Sequence, residues 1–322
     1  MTPPLRTALL FPGLNGVARG ARLADYAALP GFRARWQLVA AALPAAPALV
    51  AAGVGSEPGA ASTDPVAALL QDARLAALAI AAMQLACVEA LGADRLDAHW
   101  VTGYSVGDLA RTIHAGAARF EDAVAFAREL RARPGPGGET WYATRRGRGV
   151  DREAMRRRLL DAGLAVSLLS ERAFLFSGPV DAVRGARQAA IGDGWHLHPI
   201  TACALHGPSQ REFAARLHAA LVDAPLRPPR RPLWSSLRQR KLEDPDELRT
   251  ELADNVAASC DLAATIRRLH LEHGVRHFVD VGPGRHGLHF VRHSGLPVTA
   301  ESAIDRVRVD RLRVDRFGGP GR

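Results

Sequence analysis

Apolar positions along the chain fall into two rhythms. Short apolar runs that end in glycine turns, TALLFPG (7–13), AHWVTG (98–103) and GVRHFVDVGPG (274–284), predict buried strands. Between the first two lies a longer apolar run, Leu75–Ala90, broken by Gln84 and Glu89, which predicts a core helix. Asp64-Pro65 reads as its N-cap and first helical position, and Gly92 as its stop. After residue 105, VGDLARTIHAG and FEDAVAFARELRAR predict two helices parted near Gly116, and PGPGGE (134–139) breaks the pattern.

From Thr140 to about Ala202 the rhythm changes. The order is strand (TWYATR), helix (REAMRRRLLDAG), strand (AVSLLS), strand (AFLFSG), helix (VDAVRGARQAA), strand (WHLHPI), the βαββαβ order of a ferredoxin-like unit. The chain returns to a helix at PSQREFAARLHAAL, crosses a proline-rich loop (225–232), and gives a strand near Pro232–Ser236. A polar loop and a helix from about Asp261 to His273 follow. The prediction is an α/β fold: a parallel-sheet core from residues 1–138 and 203–305, an inserted ferredoxin-like subdomain at 139–202, and a disordered tail at 306–322.

Composition narrows the function classes. At 322 residues, 48% hydrophobic and 23% charged, the chain reads as a soluble globular protein. The opening MTPPLRTALLFPGLNG is too short an apolar run for a signal peptide, and no run reaches the roughly 20 apolar residues of a membrane span. A cytoplasmic location with no membrane role is expected. Cys87, Cys203 and Cys260 lack the spacing of a disulfide framework or a metal site and read as core thiols. The net charge of +9 comes from 42 basic residues, all arginine except Lys241, concentrated in RRGRGVDREAMRRR and the C-terminal segment. No aromatic residues interleave these runs, so they read as solvated faces rather than a nucleic-acid surface, and a basic patch for an acidic carrier protein stays open.

The chemistry centres on Gly103-Tyr-Ser-Val-Gly107, the G-x-S-x-G form of a nucleophile elbow between strand and helix. The helix N-terminus behind Ser105 would favour an oxyanion. A serine needs a base, and the chain has twelve histidines. His114 and His270 lie on expected helices, and His286, His289 and His293 follow a glycine turn. His206 stands in ALHGPSQ, where the chain leaves the small subdomain.

These motifs resemble those of malonyl-CoA:acyl-carrier-protein transacylases and polyketide-synthase acyltransferases. LLFPGLNG resembles their F-P-G-Q-G start, GYSVGDLA their serine motif, ALHGPSQ their histidine motif and FVDVGPGRHGL their E-V-G-P-G segment, in family order. The tyrosine and valine of GYSVG are most similar to the acyltransferase subunit of malonate decarboxylase. The resemblance implies an α/β-hydrolase-like core and a ping-pong acyltransferase with Ser105 as nucleophile and His206 as base. It places the oxyanion on the backbone amides of Val106 and Leu14, and the acyl site beside Gly13 and Tyr104. Acyl-CoA would be the donor and the phosphopantetheine arm of an acyl carrier protein the acceptor, with no bound cofactor and no metal. The family's malonyl-binding arginine falls at Leu130, so Arg131, one place on, is its expected stand-in; Arg128 lies two places back. A family asparagine falls near Leu169, and both replacements make the acyl pocket less polar. Two other readings are an inactive acyltransferase-like binding partner and a serine thioesterase or hydrolase, whose acid would be Asp161 or Asp193.

Overall fold

The computed structural model describes residues 6–14, 26–43, 72–92, 98–130, 134–135, 137–145, 151–305 and 307. The larger sheet has six strands: β1 (Thr7–Phe11), β2 (Ala98–Gly103), β7 (Leu233–Ser235), β8 (Lys241–Leu242), β9 (His277–Asp280) and β10 (Thr299–Ser302). Their order is β10-β9-β1-β2-β7-β8, parallel throughout except for the antiparallel edge pair β7–β8. β1 is central and buried on both faces, which is why its sequence is a continuous apolar run. Leu9 and Phe11 join Val101 and Val279 in one core, and Ala8 and Leu10 join Phe278 in a second.

The first core is roofed by α1 (Pro30–Ala42), α2 (Ala73–Leu91), α3 (Gly107–His114) and α4 (Phe120–Glu129). α2 is long and apolar enough by length and composition to cross a membrane, yet 72% of that stretch is buried inside the protein, as befits a core helix. It starts on the Asp72 side chain, which accepts from Arg74 N at 2.9 Å, and stops at Gly92 with φ 67°. The expected Asp64-Pro65 start lies outside the described residues, as do Arg131 and the tail apart from residue 307.

The second sheet has β3 (Glu139–Thr144), β4 (Ala165–Ser170), β5 (Ala173–Gly178) and β6 (His196–Thr201), antiparallel in the order β4-β5-β3-β6. With α5 (Arg152–Asp161) and α6 (Val180–Gly192) this is the ferredoxin-like arrangement. Along β5, Phe174 and Phe176 pack with Met155, Leu159 and Val183 of those two helices. Leu175, between them, faces the opposite way into the second core, with Tyr142 and Leu169. That core also holds Leu262, Ile266 and Leu269 of α9 (Leu262–His273) and Phe290 of α10 (His286–Arg292). The two sheets therefore share one apolar layer.

Two sequence expectations change. The second helix after Ser105 was expected to run through Arg133, but α4 ends at Glu129, where Leu130 turns to φ −65°, ψ 110°. The polar loop after β7 contains α8 (Pro245–Asp254), capped by Asp244, whose carboxylate accepts from Asp246 N and Glu247 N at 2.9 Å each. The glycine turn after β9 leads into α10, followed by β10. The helix at PSQREF is α7 (Arg211–Leu221), entered through a single 3-10 turn, Pro208–Gln210.

Candidate active site

β2 ends at Gly103 and α3 begins at Gly107, so Ser105 sits on the tight turn between them with φ 57°. A non-glycine residue holds that left-handed conformation only where its surroundings impose it. Here the neighbouring glycines make the turn possible. A Cβ on Gly103 would stand 2.7 Å from the Phe11 carbonyl, and one on Gly107 would run into the carbonyls of Phe11 and Pro12. The β1 loop comes equally close, since a Cβ on Gly13 would lie 2.8 Å from Ser105 Cβ.

His206 also has positive φ, at 60°, and is buried. Its Nε2 lies 2.9 Å from Ser105 Oγ, and its Nδ1 lies 2.7 Å from the Asn255 carbonyl. A carbonyl only accepts, so Nδ1 carries the proton and the Nε2 lone pair faces the serine hydroxyl. Burial pushes the imidazole below its ordinary 6.5, against the opposing pull of backbone hydrogen bonds with Asn255 and Ala258. The ring is held neutral, the state a general base requires.

The segment carrying His206 is fastened to the second sheet. Thr140 Oγ1 donates to Cys203 O at 2.6 Å and accepts from Leu205 N at 2.9 Å, and Ser177 Oγ donates to Leu205 O. On the other side, His206 N donates to Val256 O at 2.8 Å. Asn255, which no sequence motif marked, touches both halves of the pair. Its carbonyl orients His206, while its Nδ2 donates to Ser105 O at 3.2 Å and to the Asp108 carboxylate. Asp108 belongs to a buried ionic cluster: Arg111 Nε is 2.6 Å from Asp108 Oδ1, Arg111 Nη2 is 2.7 Å from Glu251 Oε1, and Arg111 Nη1 reaches Trp234 O. Burial pushes the Asp108 carboxyl up to about 7, against the attraction of Arg111 and with the added repulsion of Glu251.

The other expected site residues divide. Val106 is the N-cap of α3, where backbone N–H groups have no intrahelical acceptor, and Leu14 follows Gly13 beside the serine. Tyr104 is fully buried and packs on Phe290 with ring centroids 6.3 Å apart, so it supports the turn from beneath. Leu169 is likewise buried in the core between the sheets, away from the cavity wall. Asp193 pairs with Arg158 at 2.7 Å on an exposed face and Asp161 is exposed, so neither orients His206. His270 is tied to Val275 O at 2.8 Å, and His286 packs edge-on against Tyr142. Among the described residues no group of three or more His, Cys, Asp or Glu is placed to hold a metal ion.

Ser105 and His206 open into a cavity of about 1010 Å³ bounded by α2, α3, α4, α7 and the segment after α8. Leu130 lies on its wall. Most of the lining is aliphatic, joined by Phe126 and Phe213, and the wall also carries Thr112, Thr201 and the carboxylates of Asp72, Asp122, Glu129 and Asp223.

No protein-family profile matches the chain, and no curated protein does either. Solved structures do match in shape. The acyl-carrier-protein S-malonyltransferase of Burkholderia pseudomallei 1710b is 19% identical with a TM-score of 0.76, covering 96% of this chain and 99% of its own. A malonyl-transacylase solved with its type II polyketide-synthase acyl-carrier protein gives 19% and 0.76, over 95% and 99%. The acyltransferase domain from the second module of the salinomycin polyketide synthase gives 20% and 0.71, over 98% and 76%. The chain has the acyltransferase fold these structures share.

Proposed function

We propose that this protein is an acyltransferase that moves an acyl group from coenzyme A to the thiol of an acyl carrier protein through an acyl-Ser105 intermediate. The observation that carries the reading is the Ser105–His206–Asn255 relay, with 2.9 Å and 2.7 Å contacts, on a strained strand-to-helix turn. In the first half-reaction Ser105 Oγ attacks the thioester carbonyl while His206 Nε2 takes its proton. The carbonyl oxygen becomes an oxyanion facing the amides of Val106 and Leu14. Loss of one such donor costs about 2.7–4 kcal/mol of transition-state stabilisation. Collapse breaks the C–S bond, and the imidazolium returns the proton to the leaving thiolate. In the second half-reaction the carrier's phosphopantetheine thiol gives its proton to His206 and attacks the ester, and Ser105 leaves with the proton restored.

The backbone carbonyl of Asn255 does the orienting that a carboxylate does in many serine hydrolases, so a Ser–His pair suffices. The intact pair also argues against a purely binding role. The names of the solved neighbours make malonyl the first donor to test. Where malonyl proves to be the group transferred, Tyr104 and Val106 in GYSVG support, as the finer version of this reading, a carrier within a malonate decarboxylase assembly.

Intact-mass measurement after incubation with a panel of acyl-CoAs tests the proposal. The wild type should gain one acyl mass, Ser105→Ala should gain none, and a holo carrier protein should discharge the adduct. Release of free acid without carrier would identify a hydrolase instead, and no adduct with any donor would end the catalytic reading.

A further inference from the structure

Among the described residues on the cavity wall, Arg74 is the only arginine or lysine. It is already engaged. Its Nε and Nη2 make a fork onto Asp72 Oδ1 and Oδ2 at 3.1 and 2.7 Å, and its Nη1 donates to Leu130 O at 3.3 Å. That pairing offsets the guanidinium's charge and occupies its Nε–Nη2 edge. Leu130 presents an isobutyl group to the same cavity.

The wall there is continuous and apolar. Phe213 and Leu217 of α7 cluster with Phe126 and Leu130 from the end of α4 and Val256 from the stretch after α8, and Leu109 of α3 carries the surface back to Ser105. At about 1010 Å³ the cavity is at the upper end of the range for small-molecule sites, with room for a pantetheine arm and an extended chain together. Among the described residues, an ionised carboxylate placed against this wall would lose its hydration and meet no cation except Arg74, already paired with Asp72.

Resting on the acyltransferase reading, we infer that the acyl group this site takes is an uncharged apolar chain longer than malonyl, lying along Leu109, Phe126, Leu130, Phe213, Leu217 and Val256. Ser105 Oγ forms the ester bond as the C–S bond of the donor breaks, with the proton passing through His206 to the departing thiol as for any acyl thioester. Each added methylene should raise kcat/KM about fourfold while the wall continues, the equivalent of ~0.8 kcal/mol per buried CH₂.

Competition between malonyl-, butyryl-, hexanoyl- and octanoyl-CoA for the purified full-length chain, read as adduct mass on the Ser105 peptide, tests this. Octanoyl should exceed malonyl by tenfold or more, with a graded rise from butyryl. Leu130→Arg should shift the malonyl-to-octanoyl ratio at least tenfold towards malonyl, and Leu217→Trp should lower the octanoyl-to-butyryl ratio. Malonyl labelling equal to or above octanoyl in the wild type overturns the inference while leaving the acyltransferase reading standing. An unmoved ratio in both variants also overturns it. Absence of any adduct removes the acyltransferase reading itself and the inference with it.

Discussion

At the scale of single residues, the rate of acylation should follow the protonation of His206. Protonation fills the Nε2 lone pair that faces Ser105 Oγ, so activity falls as pH drops through the folded-state pKa, and burial places that value below the ordinary 6.5. At pH 6.5 the protein should therefore retain more than half of its plateau acylation rate. Rapid-quench measurement of adduct formation across about pH 5–8 checks this, and a midpoint at or above 6.5 contradicts it. The same shift has a stability consequence of matching sign: the unfolded chain takes the proton first, so folding loses free energy as pH falls below the unfolded value. The contact between Ser105 and His206 was legible because each side chain stands in a recognisable motif. Asn255 was not, because it orients His206 through a backbone carbonyl that every residue possesses.

At the scale of elements, the His206 segment is positioned by its fastening to β3. Thr140→Val keeps the side chain's shape but removes the acceptor for Leu205 N and the donor to Cys203 O. Leaving those buried groups unpaired should destabilise the protein by about 1–3 kcal/mol. Because the loosened segment carries the base, acylation should slow by about tenfold. Urea unfolding and single-turnover labelling measure the two effects separately; a stability loss with an unchanged rate would show that Thr140 does not position His206. The ferredoxin-like unit was readable because short strand-like apolar runs alternate with helical ones in the βαββαβ order, and β5, buried on both faces, reads as a continuous apolar run. α8 escaped because it buries only Leu248, Glu251 and Ala253, one of them a carboxylate, so it shows no apolar stripe. Asp244-Pro245, a capping residue followed by proline, was the signal available there.

At the scale of the whole molecule, the buried Asp108–Arg111–Glu251 cluster ties α3 to α8 and, through Trp234 O, to the edge of the large sheet. Arg111→Met would leave two buried carboxylates without their shared cation, and breaking a buried pair in this way costs about 3–5 kcal/mol. Asp108, without Arg111, would hold its proton more tightly in the folded than in the unfolded chain, so the deficit should widen as pH rises. Asp108 is already pushed up to about 7 with Arg111 present. Denaturation midpoints near pH 5 and pH 8 should show a larger gap between wild type and variant at the higher pH. The cluster was invisible in the sequence, where Arg111 is one arginine among many and its partner Glu251 lies 140 residues further on. The proposed catalytic pair is similarly divided, with Ser105 and His206 101 positions apart and the entire second sheet between them. During synthesis the serine turn can therefore form long before its base exists. On the proposed mechanism, a growing chain stays chemically silent towards thioesters until the ferredoxin-like unit has emerged and docked, so completion of folding acts as the licence for the reaction.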